Sequence, residues 1–406
     1  MRILRVVHDY WPGVGGNERW SFLHDKWFSE IAQDEVQVLV VRPESFFEAP
    51  GYREQLAEYR QIGEIDIPLL PRVKVFQTVI PNASRVRLAY EYYKTIRPWV
   101  RKRPDIVITQ IEHFHARPCW RGVPVVYEPG SALASSRRRR PSATLAHRIR
   151  KQLAISMYRR FQVIVTSPHL LYQDVKDLNL EHKVFMMRHI VDPTAFWGPL
   201  TTEQHELAVN NVNSLASQHG FVLAQFNRLH SFKNPEALLD IAEQMPECAV
   251  VFAGDGPEMV RLQARVEGSP HLRNRVIFLG NIDVRILGTV TEAVSAFVMT
   301  SPHGNYNTVF TELLALGNAP VIAIDTDDFP DEIDKQDTIL KITQDPKESA
   351  ARIRSLLMDN ERKAKMVGNG KRYVADNHSV DQMWDYRERL LQTVREFRSR
   401  KRFVCG

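Results

Sequence analysis

Short apolar runs rich in valine and isoleucine alternate with longer amphipathic stretches, and the alternation occurs twice along this 406-residue chain. In the first half the runs fall at 3–7, 36–41, 73–80, 106–109, 123–127, 163–166 and 184–187. Strands separated by helical windows require right-handed βαβ crossovers around a parallel sheet, which predicts a Rossmann-like first domain. The rhythm breaks after Asp192 in a polar stretch, 198–220, read as an interdomain region with a helix at 203–217. It resumes at 222–226, 249–253, 276–279, 296–299, 321–324 and 338–342, which predicts a second doubly wound domain. The segment 379–400 places Met383, Trp384, Tyr386, Leu390, Leu391, Val394 and Phe397 at helical spacing, as one long terminal helix.

Composition narrows the class further. With 44% hydrophobic and 25% charged residues the chain has material for two cores, which excludes global disorder and collagen-like repeats. Its apolar runs are far shorter than the roughly 20 residues of a spanning helix, and its start carries His8 and Asp9 inside the first apolar run, unlike a secretory signal. A cytoplasmic protein is expected. Three cysteines without a C-x-x-C spacing point away from a zinc site or a disulfide framework, so no metal is expected. The net charge of +6 suits an anionic ligand, an anionic lipid surface or nucleic acid.

Four segments could carry chemistry. HDYWPGVGGNERW, 8–20, leads a strand through Gly15 and Gly16 into a helix, so backbone amides could approach an anion or sugar; a plain βα turn reads the same way. FNRLHSFKN, 226–234, sets Arg228 and Lys233 just beyond the first strand of the second domain, where two fixed cations suit a diphosphate leaving group. The same pair also reads as solvated loop cations. VVFAGDGPEMVRL, 250–262, ends a strand in Gly254 and Gly256, and VIFLGNID, 276–283, ends the next in Gly280 and Asn281. TSPHGNYNTVFTELLALGNAPVIAI, 300–324, opens a helix through a Gly/Asn-rich loop. Its amides near Asn307 and Thr308 favour a phosphate, and Glu312 could accept hydrogen bonds from ribose hydroxyls.

In order and spacing these segments resemble the retaining glycosyltransferases of family 4. The likeness rests on Pro12 to Gly16 for the first glycine loop and on Asn227-Arg228-Leu229 with Lys233 for the diphosphate clamp. It continues through Gly254 to Glu258, Phe278 to Gly280, and Glu312 to Gly317 followed by Pro320-Val321-Ile322. The resemblance implies a GT-B fold, α/β, with two Rossmann-like doubly wound domains facing a central cleft. The expected limits are 1–195 for an acceptor domain, 196–377 for a nucleotide-sugar donor domain, and 378–406 for a helix returning to the first domain.

It further implies sugar transfer from a UDP- or GDP-linked donor with retention and without a metal. Arg228, Lys233 and Glu312 would be catalytic, with Gly16, Gly254, Gly256, Asn281, His303, Gly304, Asn305, Asn307 and Thr308 on the donor. The acceptor would be a lipid-linked or cell-surface glycan, met by Gly15, His113, His115, Glu128, Arg138 and Arg139. The run Arg137 to Arg140 permits contact with an anionic membrane surface.

The chain also departs from the family pattern. Gly304 stands where the first member of a Glu-x7-Glu pair is expected, with His303 or Asn305 as candidates to replace it; Glu128-Pro129-Gly130 stands where relatives carry a histidine; RHIVD, 188–192, replaces a glycine-containing turn. Alternatives therefore include a DNA-modifying glycosyltransferase of viral type, a catalytically silent nucleotide-sugar-binding or scaffold protein, and a sugar-nucleotide epimerase.

Overall fold

The computed structural model describes residues 1–8, 10, 16–45, 62–67, 70–111, 122–128, 156, 158–166, 175–176, 179–326 and 329–404. Two compact units account for them. Unit 1 comprises Met1–Arg188 with Asp381–Gly406, and unit 2 comprises His189–Val380. The divisions thus fall at 188/189 and 380/381, where the sequence suggests 195/196 and 377/378. Among the described residues no helix is long and apolar enough to cross a membrane.

Unit 1 is built on an eight-stranded sheet in the order β3-β4-β2-β1-β5-β6-β7-β8. Its strands are β1 (Arg2–Val7), β2 (Glu35–Pro43), β3 (Gly63–Ile65), β4 (Val73–Ile80), β5 (Ile106–Thr109), β6 (Val125–Tyr127), β7 (Val163–Thr166) and β8 (Val184–Met186). All pair in parallel except β3, an antiparallel edge strand that the apolar pattern does not indicate. Three residues, Gly-Glu-Ile, are too few to show a period.

The central strand β1 explains how this sheet is covered. Leu4 and Val6 point to one face and pack with Leu39, Val107, Ile96 and Tyr127. Arg5 points to the other face and is wholly buried. Its Nε donates to Asp25 at 2.7 Å and its Nη1 to Glu128 at 2.5 Å. Asp25 lies on helix α1 (Gly16–Glu30) and also accepts from the Tyr10 hydroxyl at 2.8 Å. The second oxygen of Glu128 accepts from Tyr386 at 2.5 Å.

Tyr386 belongs to the terminal helix Gln382–Val404, so this cluster fastens that helix to the first sheet. Arg387 reinforces the attachment through both oxygens of Asp34, at 2.8 and 3.0 Å, and the Trp384 ring meets Trp27 edge-on at 4.7 Å. Burial alone would raise the pKa of Glu128, but Arg5, His24 and Tyr386 reverse this and hold it well below the usual carboxylate range. Burial raises Asp25 against the pull of Arg5, and burial lowers His24 below its ordinary 6.5.

Unit 2 carries a six-stranded, wholly parallel sheet in the order β11-β10-β9-β12-β13-β14. The strands are β9 (Phe221–Phe226), β10 (Cys248–Ala253), β11 (Val276–Phe278), β12 (Ala296–Met299), β13 (Val321–Ile324) and β14 (Leu340–Ile342). Buried largely on both faces, they read as nearly continuous apolar runs, interrupted by Gln225 in β9 and Lys341 in β14. Along β9, Val222, Ala224 and Phe226 join one core cluster and Leu223 joins the other. The polar stretch 198–220 is part of this unit and not a linker. Its helix α3 (Glu203–Gln218), with α2 being Arg85–Arg101 in unit 1, buries Val212 and Leu215 against Val222 and Phe297. Two anchoring side chains suffice, which is why its composition looks like that of a connector.

Two measurements test the Arg5 cluster. Arg5→Met leaves two buried carboxylates without their cation and is expected to cost about 3–5 kcal/mol in chemical denaturation, against about 1–3 kcal/mol for Tyr386→Phe. Because the folded-state pKa of His24 lies below the unfolded one, the unfolded chain takes up a proton first as pH falls through about 6.5, and stability is lost there. The drop in Tm between about pH 7.5 and 5.5 should flatten in His24→Gln; an unchanged slope would contradict the assignment.

Candidate functional site

In the second sheet the chain lays down β9, β10 and β11 toward one edge, then returns to place β12, β13 and β14 on the other side of β9. Loops leaving the carboxyl ends of β9 and β12 therefore diverge, and such switch points are where doubly wound sheets accommodate ligands. Pairing reflects the divergence. β9 follows β10 to its last residue, Phe226 opposite Ala253, whereas the β9–β12 ladder contains only Leu223–Ala296 and Ala224–Phe297.

The loop after β9 carries Arg228, which is exposed, and Lys233, which is half-buried. Its course is fixed by the turn after β10. Asn227 N–H donates to Ala253 O, Leu229 N–H to Asp255 O, and Glu258 N–H back to Leu229 O, all within 3.1 Å. This approach is so close that only glycine fits. A Cβ on Gly254, whose φ is +132°, would lie 2.0 Å from Asn227 O, and one on Gly256 would lie 2.3 Å from Leu229 O. Gly254 N–H donates in turn to Gly280 O at 2.7 Å, which extends the network toward exposed Asn281. The two glycines thus set the backbone from which Arg228 projects.

Beyond Leu229 the chain makes a single tight turn, Ser231–Lys233, closed by Asn234 in the left-handed conformation at φ 48°. Asparagine tolerates that conformation better than most residues.

The loop after β12 runs from Thr300 to Asn307 and leads into the helix Thr308–Leu316. Asn307 caps that helix. Its Oδ1 accepts from Phe310 N–H at 3.2 Å, and its Nδ2 donates to Gly304 O at 2.8 Å. A helix start leaves first-turn amides outside the helical ladder, and here those belong to Thr308 and Val309. Glu312 lies on the same helix and is buried.

The three residues around the absent first glutamate behave differently. His303 is exposed. Gly304 has φ +71° and an added Cβ would meet nothing within 4 Å, so glycine stands there for backbone conformation and not for want of room. Asn305 is fully buried, with its Nδ2 donating to Ser301 O at 2.8 Å and Ile324 O at 3.0 Å. The side chain of Asn305 therefore braces the loop from within through its amide nitrogen, while its Oδ1 is buried with no hydrogen-bond partner.

In unit 1 the corresponding switch point lies between β1 and β5. Gly16 is the first residue of α1. Gly15, His113, His115, Arg138 and Arg139, with the rest of 137–140, lie outside the described residues. Glu128, expected on the acceptor side, is instead buried with Arg5, His24 and Tyr386. Its carboxylate holds the terminal helix; a glutamate beside Pro-Gly in the sequence gives no sign of that partnership. Among the described residues no group of three or more His, Cys, Asp or Glu could hold a metal ion.

Residues 211–373, less than half of the chain, match the family model for glycosyl transferases group 1. No curated protein matches the chain by sequence. Solved structures match over its whole length. A sucrose-phosphate synthase from Thermosynechococcus elongatus covers 100% of this chain and of its own at 15% identity and a TM-score of 0.72. Anabaena HepE in complex with UDP and glucose covers 97% of this chain and 99% of its own at 16% identity and 0.69. WaaG, a glycosyltransferase involved in lipopolysaccharide biosynthesis, covers 92% and 95% at 15% identity and 0.65. These matches to GT-B glycosyltransferases show the fold.

The close approach of the two turns is testable without a ligand. Gly254→Ala is expected to lower unfolding free energy by about 2–4 kcal/mol, from steric overlap together with a strained backbone. Gly368→Ala, at a helical position where a Cβ meets nothing within 4 Å, should instead stabilise slightly. Equal effects of the two in urea titrations would refute the close packing of these turns.

Proposed function

We propose that this protein transfers a sugar from a UDP-linked donor to a saccharide acceptor, with the donor held by unit 2. The observation that carries the reading is the switch point itself. The loop bearing Arg228 and Lys233 and the loop opening the helix of Glu312 leave the two strands that part there. Breaking the bond between the anomeric carbon and the diphosphate leaves negative charge on the departing phosphate oxygens. A planar guanidinium and an ammonium, set on a turn fixed by glycine backbone contacts, are suited to meet that charge as it develops. First-turn amides at Thr308 and Val309 add dipolar support to the same diphosphate. In this role the two cations supply the electrophilic assistance that a divalent metal provides in other transferases, so the reading includes no metal. Glu312 would accept from the ribose hydroxyls.

UDP is preferred over GDP because HepE binds UDP and UDP-glucose, and the E. coli trehalose-6-phosphate structure holds a UDP-2-fluoro glucose. Retention of anomeric configuration belongs to the proposal through the family resemblance. A lipid-linked or cell-surface glycan is the proposed acceptor, on the analogy of WaaG and the lipopolysaccharide galactosyltransferase WaaB. In this reading the chain works in the cytoplasm and meets an anionic membrane surface through Arg137 to Arg140.

Calorimetry with UDP and turnover of UDP-glucose test the donor reading. Arg228→Ala and Lys233→Ala should each lower kcat by about 10²–10³-fold with Tm close to wild type, the loss typical of removing one group that stabilises transition-state charge. Saturating UDP should raise stability by about 2.7 kcal/mol at a concentration of about 100 times Kd. Proton NMR of the product reads the anomer. UDP binding without turnover of any UDP-sugar would favour the catalytically silent protein, and no binding of any nucleotide would reject both.

A further inference from the structure

The strand pairing that holds β9 to β12 stops at Ala224–Phe297, yet the two strand ends remain joined beyond it by side chains. Gln225, the one polar residue of β9, is fully buried, and so is Thr300, the residue immediately after β12. Both fall on the Leu223 face of the sheet by the two-residue period of a strand. Gln225 Nε2 lies 3.1 Å from Thr300 Oγ1. The same hydroxyl lies 2.8 Å from Asn234 O and 3.1 Å from Lys233 O. The glutamine amide can donate to the hydroxyl, whose proton then serves the two carbonyls, which can only accept; Gln225 Oε1 is a more distant acceptor at 3.3 Å. The hydroxyl of the adjacent Ser301, also buried, lies 2.5 Å from His303 O in its own loop and 3.0 Å from Phe232 O, with one proton to share between them. Two consecutive carbonyls of the Lys233 turn thus face the Thr300 hydroxyl of the opposite loop, and a third, Phe232 O, lies within reach of Ser301.

We infer that Thr300, oriented by Gln225, is a positioning residue for Lys233, and that its hydroxyl fixes the peptide from which the ammonium reaches the diphosphate. The inference rests on the proposed role of Lys233. A lysine has four rotatable side-chain bonds, so its charge is useful at one place only when its backbone does not move; without the hydroxyl, Lys233 O would lose this donor and Asn234 O would keep Ala237 N–H at 3.2 Å, a weaker hold that would let the turn relax toward water. The neighbouring residue Asn234, already in the left-handed region, is where such relaxation begins. Thr300 would touch neither donor nor acceptor. It would act entirely through the turn.

The test is a double-mutant cycle on the full-length chain, with kcat and KM for UDP-glucose, Kd for UDP and Tm measured on each member. Thr300→Val removes the hydroxyl at nearly constant volume, and Thr300→Ser restores it. On the wild-type background Thr300→Val should reduce kcat about tenfold with less change in KM, and Thr300→Ser should recover most of it. On the Lys233→Ala background the same substitution should change kcat less than about twofold, because its target is gone. Equal losses on both backgrounds, or a Thr300→Val enzyme with wild-type kcat, would overturn the inference. Should Thr300→Val fail to fold, Gln225→Met removes only the amide that orients the hydroxyl and enters the same cycle with the same expectations. If Lys233→Ala is itself indistinguishable from wild type while UDP still binds, the role given to Lys233 is wrong, and the inference falls with it for that separate reason.

Discussion

The parting of β9 and β12 is the constraint on which the proposed donor site depends. Two strands that remain paired along their length leave no room between their end loops; these two hold only two ladder positions. The loop leaving each strand is then free to turn away from the other. The energetic consequence is that two neighbouring strand ends lie in the interior of a sheet without a backbone ladder between them. Gln225 and Thr300 supply side-chain hydrogen bonds where the ladder ends, and Asn305 does the same for Ser301 and Ile324. Buried polar groups are costly unless satisfied, and these amides and hydroxyls are paired except Asn305 Oδ1, which has no hydrogen-bond partner.

Unit 1 solves a different problem with related means. Its central strand places Arg5 under helix α1, where a cation in the interior needs compensation. Asp25, Glu128, Tyr10 and Tyr386 supply it from four separate parts of the chain. One of these parts is the terminal helix, so a segment nearly the whole sequence away is built into the first sheet. A buried ionic cluster is weak evidence for net stability, because apolar residues of similar volume often do as well. It does specify one docking register for the helix, since sliding by a turn would separate Tyr386 from Glu128 and disturb the carboxylate that Arg5 depends on.

Much of this is legible in the sequence, for physical reasons that differ by element. Parallel strands covered on both faces are largely apolar, and so β1, β5, β9 and β12 stand out as short apolar runs. The glycines at 254 and 256 are readable as turn residues, but only the approach of Asn227 and Leu229 backbone shows why nothing larger fits. The place of Glu128 is not legible, because its three partners lie 123, 104 and 258 residues away and no local pattern encodes a contact at that distance. The Thr300–Gln225 bridge is hidden for the same reason. A signal does exist: Arg5 in RILRVV and Gln225 in FVLAQF are polar residues enclosed by apolar neighbours within strands, and each is fully buried with partners distant in the sequence.

The central claim is that the nucleotide occupies the edge of unit 2 where β9 and β12 diverge. Hydrogen–deuterium exchange of the full chain with and without UDP tests it most directly, since it maps protection without requiring the acceptor. Protection is expected to be confined to 227–234, 254–258 and 304–309. Protection centred instead on the loops of unit 1, or UDP binding that leaves those three segments unchanged, would contradict it.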